Sequence, residues 1–194
     1  MTGFLHADHD ATPLTPDERN GLIPTHVTLR DELNELEQQN IAEADRWAFA
    51  RKRGVLDEAF LKGLHRRMFN RVWRWAGKYR TTERNLGVAH YRIQPELLQI
   101  IRDAQYWIEH ATYSRDELAV RFHHRLVSVH PFPNGNGRWS RLAADLLIAR
   151  LDGARFTWGR SNLQAIGDLR RAYVEALHAA DDHDIVPLIA FARS

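Results

Sequence analysis

Apolar residues recur along most of this chain at intervals of three and four, the period of one helix face. Leu29, Leu33, Leu36, Asn40, Ala44 and Trp47 form the first such stripe, with charged residues between them. Phe60, Leu64 and Met68 form a second, and Leu97, Ile101, Ala104, Ile108 and Ala111 a third. Leu118, Phe122, Leu126 and Val129 form a fourth, opened by Ser114-Arg115-Asp116-Glu117, the spacing of a capping box. Leu142, Leu146 and Leu147 mark a fifth, running from about Gly137 to Leu151. Leu163, Ile166, Tyr173, Val174 and Leu177 mark a sixth, with Asn162 placed to cap it, and Ile185 to Ala192 suits a short last helix.

Two stretches break the pattern. Residues 1–27 read as an irregular N-terminal arm, in which Thr15-Pro16-Asp17-Glu18 has the capping-box spacing with proline at N1 and predicts one helical turn. Residues 28–55 then read as a helix packed on a core of residues 56–194, with Thr28 and Asp31 as a simple N-terminal cap. Between Tyr79 and Ile93 the helical signal is weakest. Thr81, Thr82, Asn85, Gly87, Val88 and Tyr91 suit a small β-hairpin or an exposed loop. The fold class is mainly α, with that one hairpin.

Composition narrows the function classes. With 194 residues the chain fits one ordinary domain, and 44% hydrophobic content suffices for a core. The absence of cysteine removes disulfide scaffolds, zinc–thiolate sites and cysteine nucleophiles. No apolar run approaches the roughly 20 residues of a membrane span. Met1 to Asn20 carries acids, histidines and prolines where a signal peptide needs an apolar stretch, so a cytoplasmic location is expected. The formal charge is only +2, which gives nucleic-acid binding little support. Arginine greatly outnumbers lysine, which occurs only at Lys52, Lys62 and Lys78. Arginine suits bidentate contact with phosphate, but most of these arginines read as solvated surface.

The chemistry concentrates between the fourth and fifth stripes, in His130-Pro131-Phe132-Pro133-Asn134-Gly135-Asn136-Gly137-Arg138-Trp139-Ser140-Arg141. The two prolines stop the incoming helix. Gly135 and Gly137 permit positive φ and close approach of a ligand to the backbone. A helix starting there points unpaired N–H groups outward and suits an anion. Arg138 and Arg141, three apart, share a face of the first turn and would grip a di- or triphosphate. His130, at the opposite lip, is a general base for a hydroxyl attacking a phosphate held in this nest. Phe132 is expected to point inward and anchor the loop. A plain helix–helix turn would account for Asn134-Gly135, but needs neither the histidine nor two arginines in register.

At these residues the chain resembles the Fic (Fido) family, whose signature reads His-x-Phe-x-Asp/Glu-Gly-Asn-Gly-Arg-x-x-Arg. Every fixed position matches except the acid, where Asn134 stands. The flanks Leu64 to Phe69 and Trp75 to Arg80 resemble the family's early helix and the lead into its flap, so the likeness covers roughly residues 56–190. With Asn134 and the upstream stretch Thr28 to Gln38, the chain most resembles the group called mobile mystery protein B.

The resemblance implies a Fic-type helical bundle with a hairpin flap at 79–93, on which a target pairs by its main chain. It implies transfer of AMP from ATP to a Ser, Thr or Tyr hydroxyl of a protein. His130 would be the base. The backbone at Gly135, Asn136 and Gly137, helped by the Asn136 side chain, would hold the α-phosphate. Arg138 would bind the α/β-phosphates and Arg141 the γ-phosphate. Tyr173 would border the adenine, although a core tyrosine in an apolar stripe explains it as well. The family acid binds Mg²⁺; Asn134 offers only a neutral oxygen, so the metal is the weakest part of this picture. Family members often dimerise. Many also carry an inhibitory helix with Ser/Thr-x-x-x-Glu-Gly/Asn, whose glutamate pairs with the last signature arginine. Thr28 to Glu32 matches it in part, making Glu32 the leading inhibitory residue, ahead of Glu35 and Glu37.

Other readings remain open on sequence. The same loop would serve transfer or hydrolysis of another phosphate-containing group. A metal-dependent hydrolase would draw on His123, His124, His130 and His178, but adjacent histidines face apart on a helix and no His-Glu-x-x-His pattern occurs. A nucleotide-binding regulator would bind ATP without transferring it.

Overall fold

The protein is described here from a computed structural model that defines residues 15–27, 29–159 and 166–194. Eight α-helices follow in order among them: α1 (Pro16–Arg19), α2 (Arg30–Phe49), α3 (Glu58–Phe69), α4 (Ile93–Glu109), α5 (Arg115–Val129), α6 (Asn136–Arg150), α7 (Ile166–Asp181) and α8 (Val186–Arg193). Thr28, Asn162 and Leu163, which carry expected caps and a stripe position, lie outside the described residues, as does the arm before Thr15.

The centre of the molecule is the helical hairpin α5–α6. α4 packs on α5, while α3 packs on α6 and carries α2 on its outer side. Buried Phe69, Phe122, Phe132, Trp139, Leu64 and Met68 form the main core. A second cluster, with Phe156, Trp158, Leu188 and Phe191, seats α7 and α8 against the other side of α5 and α6. Burying a residue the size of Leu or Phe contributes about 1.5–3 kcal/mol. The pair α5–α6, clad on both sides, is therefore the least deformable support available for the loop between them.

Helix starts follow the sequence where side-chain caps were legible. Thr15 accepts from the Glu18 N–H and Glu18 from the Thr15 N–H, and Ser114 caps α5 through the Glu117 N–H; Asp57, which the sequence reading passed over, caps α3 through the Phe60 N–H. The arm is tied down beyond α1. The Ile23 N–H donates to the Val72 carbonyl and the Arg74 N–H to the Gly21 carbonyl, and Leu22 bridges Trp73. The Trp75 indole donates to the Glu18 carbonyl, and the Glu18 carboxylate pairs with Arg84.

Two expectations need correction. The hairpin between Tyr79 and Ile93 is absent: this described segment contains irregular stretches, bends and one 3₁₀ turn, His90–Arg92, and no strand. Its backbone donors are committed elsewhere, the Arg80 N–H to the Pro131 carbonyl and the Val88 N–H to the Val129 carbonyl. The segment thus pairs with the end of α5 and not with itself. In α2 the buried face is Leu33, Glu37, Asn40, Ala44 and Ala48, rotated from the stripe read in sequence, and Leu29 is exposed.

Candidate active site

Helix α5 ends at His130, whose backbone is left-handed (φ 52°). Pro131 and Phe132 follow, and Phe132 is wholly buried, stacked on His65 at 3.6 Å between ring centroids and edge-on to Trp139. The inward Phe132 is as expected. Asn136 then closes the loop: its Oδ1 accepts from the Phe132 N–H at 2.9 Å and its Nδ2 donates to the Phe132 carbonyl at 2.8 Å. Both polar ends of this buried amide bond the loop's own backbone, so the Asn136 side chain braces the loop.

Gly135 (φ 81°) is the N-cap of α6 and donates no side-chain cap. A Cβ there would stand 2.5 Å from the Phe69 ring, so the turn demands glycine for space as well as for φ. The first backbone bond of α6 runs from the Trp139 N–H to the Gly135 carbonyl. The N–H groups of Asn136, Gly137 and Arg138 precede it and form the positive end of the helix.

Both arginines flank this nest. Arg141 lies with its guanidinium 5.1 Å from the centre of the Tyr173 ring. The Tyr173 hydroxyl and His123 Nε2 share a hydrogen bond at 3.1 Å, the Tyr173 ring is partly buried on the second core cluster, and the hydroxyl stands 3.6 Å from where a Cβ on Gly137 would lie. Tyr173 therefore packs on the core, as one of the two readings made of it has it, and its hydroxyl lies beside Gly137. Burial raises its phenol to about 12 and lowers His123 to about 3. Arg138 is engaged by Glu37 of α2, with 2.6 Å between Nη1 and Oε2. The other carboxylate oxygen of Glu37 accepts from the Trp73 indole at 2.6 Å.

Glu32, the leading inhibitory candidate, turns back on its own helix end, where its carboxylate accepts from the Leu29 N–H. Glu37 of α2 reaches one signature arginine, Arg138, whereas the expected inhibitory contact was with Arg141. The sequence carried a signal for this: Glu37 sits between Leu33 and Asn40 on one helix face, where an unpaired charge would be costly.

His130 is partly buried. Burial, then the positive charges of Arg80 and Arg84, lower its imidazole to about 4, so it is neutral at pH 7. Two further residues escaped the sequence reading. His65, fully buried, accepts from the Gly77 N–H at Nδ1 and donates from Nε2 to the Asn134 carbonyl. This fixes its tautomer and ties the loop to the Gly77 turn. Burial holds it at about 3, hence uncharged. Arg80, 3% exposed, donates to the carbonyls of His130, Thr82 and Val88.

Asn134 is a poor metal ligand in this setting. Its side-chain oxygen is neutral and accepts from the Gly135 N–H. No group of three His, Asp or Glu side chains among the described residues could hold a cation. The donor set does not fit a protein-bound Mg²⁺, and no step is assigned to one.

Two helices joined by a glycine-rich loop, with Arg138 and Arg141 on the helix that follows it and a neutral histidine at the end of the helix that precedes it, are the arrangement expected of the Fic signature. A model of the Fic/DOC family matches residues 55–148, and through them the chain belongs to that family. Protein adenylyltransferase fic-1 of Caenorhabditis briggsae is 32% identical over 120 residues, 60% of this chain and 22% of that protein. A uridine 5'-monophosphate transferase of Xanthomonas campestris is 44% identical over 52 residues, 23% of this chain and 10% of that protein. The chain thus spans about a fifth or less of the length of these relatives. Among solved structures, the N-terminal Fic domain of a cell filamentation protein from Bartonella quintana, with bound ADP, superposes with a TM-score of 0.68 at 19% identity, over 91% of this chain and 94% of that one. That similarity establishes the shared fold.

Proposed function

We propose that the chain transfers AMP from ATP to a Ser, Thr or Tyr hydroxyl of a protein, and that Glu37 restrains this activity. The observation that carries the reading is the glycine-capped start of α6, which carries Arg138 and Arg141, with the neutral His130 at the other end of the same loop. The nest and Arg138 hold the α- and β-phosphates, and Arg141 the γ-phosphate. The target oxygen attacks the α-phosphorus while His130 takes its proton. The bond from the α-phosphorus to the bridging oxygen breaks, and pyrophosphate leaves against Arg138. The AMP-transferring relatives and the ADP-bound neighbour support this choice of donor.

Glu37 occupies the guanidinium that the leaving group needs. Its carboxylate and the phosphates compete for one donor set, so α2 in its docked position opposes productive binding of ATP. Because Arg138 serves the α/β-phosphates, the competition extends to any donor with a pyrophosphate bond. The uridylyl-transferring relative favours UTP as the second donor to try.

The test is incubation with ATP labelled at the α- or γ-phosphate, of the wild type, Glu37→Ala, Glu32→Ala and His130→Ala. Label from the α-phosphate alone should appear on protein, rise at least tenfold in Glu37→Ala, stay at the wild-type level in Glu32→Ala, and vanish in Glu37→Ala/His130→Ala. Transfer of the γ-label would overturn AMP transfer. A silent Glu37→Ala beside an active Glu32→Ala would return the inhibitory role to Glu32.

A further inference from the structure

The end of helix α5 is held in an unusual way. Its last carbonyls have no helical partner of their own. The carbonyl of Val129, its last residue, and those of His130 and Pro131, which follow it, are all satisfied from residues 80–88. The Pro131 carbonyl accepts from the Arg80 N–H at 2.9 Å, the His130 carbonyl from Arg80 Nε at 2.7 Å, and the Val129 carbonyl from the Val88 N–H at 3.3 Å. The same guanidinium reaches back to both ends of its own loop, donating from Nη1 to the Thr82 carbonyl and from Nη2 to that of Val88. Gly87, at φ 93°, lies so close that a Cβ on it would stand 2.6 Å from the His130 Cβ. One buried side chain therefore closes the 82–88 loop and seats it on the base.

We infer that Arg80 is the positioning residue for His130: its fork holds the left-handed backbone of His130 and ties to it the loop on which a target would rest. This rests on the reading of His130 as the base. Arg80 acts through the His130 carbonyl and touches no substrate. Only a planar fork fits, since the bonds leave three different nitrogens toward three carbonyls. Lysine keeps the charge and stem but places a single point donor there. The positive charge at this place also favours the neutral imidazole.

Arg80→Lys is the discriminating variant, with Gly87→Ala as a second that keeps the guanidinium but crowds it and displaces the loop, since an added Cβ would stand 2.6 Å from the His130 Cβ and 2.9 Å from Arg80 Nη2. Three readouts need no transfer: amide hydrogen exchange, ADP affinity, and the ring ¹H–¹³C signal of His130, assigned by its loss in His130→Ala. In Arg80→Lys the amides of residues 80 and 88 should exchange at least tenfold faster and the His130 signal should move, with ADP affinity within twofold of wild type. In the Glu37→Ala background, kcat should fall at least tenfold while the KM for ATP stays within threefold. Gly87→Ala should show the same split. Unchanged exchange and an unmoved His130 signal in Arg80→Lys would overturn the inference. So would loss of ADP binding together with faster exchange throughout α5 and α6, which would make Arg80 a residue of the general fold. Should no variant transfer label, the reading of function falls on that result, and exchange and the His130 signal still decide the role of Arg80.

Discussion

His130 was legible as a base from its place beside prolines and glycines, but its protonation state was not, because that depends on neighbours distant in sequence. An ordinary histidine near 6.5 would lose about tenfold of its basic form between pH 7.5 and 5.5. Burial, Arg80 and Arg84 instead lower His130 to about 4. The acid limb of kcat/KM for the Glu37→Ala enzyme should therefore be flat within about twofold from pH 7.5 down to 5.5. A tenfold fall over that range would show that His130 titrates normally. Asn136 offers a second test at this scale. The signature exposes an asparagine to notice, yet the hydrogen bonds that occupy it follow from a turn geometry that spacing alone does not fix. Asn136→Ala strands the Phe132 N–H and carbonyl without a partner in a dry place. At about 1–3 kcal/mol for each unsatisfied group, a loss of about 2–5 kcal/mol in urea unfolding is expected. Asn136→Ala with unaltered stability would return the side chain to the phosphate.

Among elements, the helices were legible because their caps and stripes are local. The flap was not. Val88, Tyr91 and an Asn/Gly turn look like hairpin material, but a hairpin requires strand partners, and here the donors at positions 80 and 88 go to α5. Local β propensity gives way to tertiary pairing in such a case. Helix α2 shows the opposite situation. Its existence was plain, while its rotation hid behind Glu37, a charged residue on the buried face. Asn40 donates to the Arg67 carbonyl at 2.8 Å and accepts from the Arg71 N–H at 3.0 Å, so an amide, not an apolar contact, sets α2 against the end of α3. Glu37 is one turn away on the same face. Asn40→Ala should loosen that register, lowering the melting temperature and raising transfer of the α-label several-fold in a protein that retains Glu37. A less stable Asn40→Ala whose transfer stays at the wild-type level would separate helix docking from restraint of the site.

At the scale of the whole molecule, the active-site loop is secured from three sides by groups that must stay uncharged. His65 bridges the loop to the Gly77 turn, His123 receives the Tyr173 hydroxyl behind Arg141, and His130 stands at the lip. Burial is the largest cause of the lowering in each, to about 3, 3 and 4. In the unfolded chain all three return to about 6.5. Between pH 6.5 and 4 the unfolded state therefore binds up to three protons that the native state refuses. Stability is whole above 6.5 and falls as the pH drops through that window, the direction set by the unfolded state holding more protons. Each proton contributes about 1.4 kcal/mol per pH unit, so the slope from these three approaches about 4 kcal/mol per unit near pH 5. Calorimetry in buffers of different ionisation enthalpy should register uptake of close to three protons on unfolding at pH 5 from these groups, and His123→Phe should remove one of them. The same substitution takes away the hydrogen-bond partner of the Tyr173 hydroxyl. Its effect on proton uptake should therefore appear together with weaker ATP binding, because the ring that backs Arg141 is held by the histidine that refuses the proton.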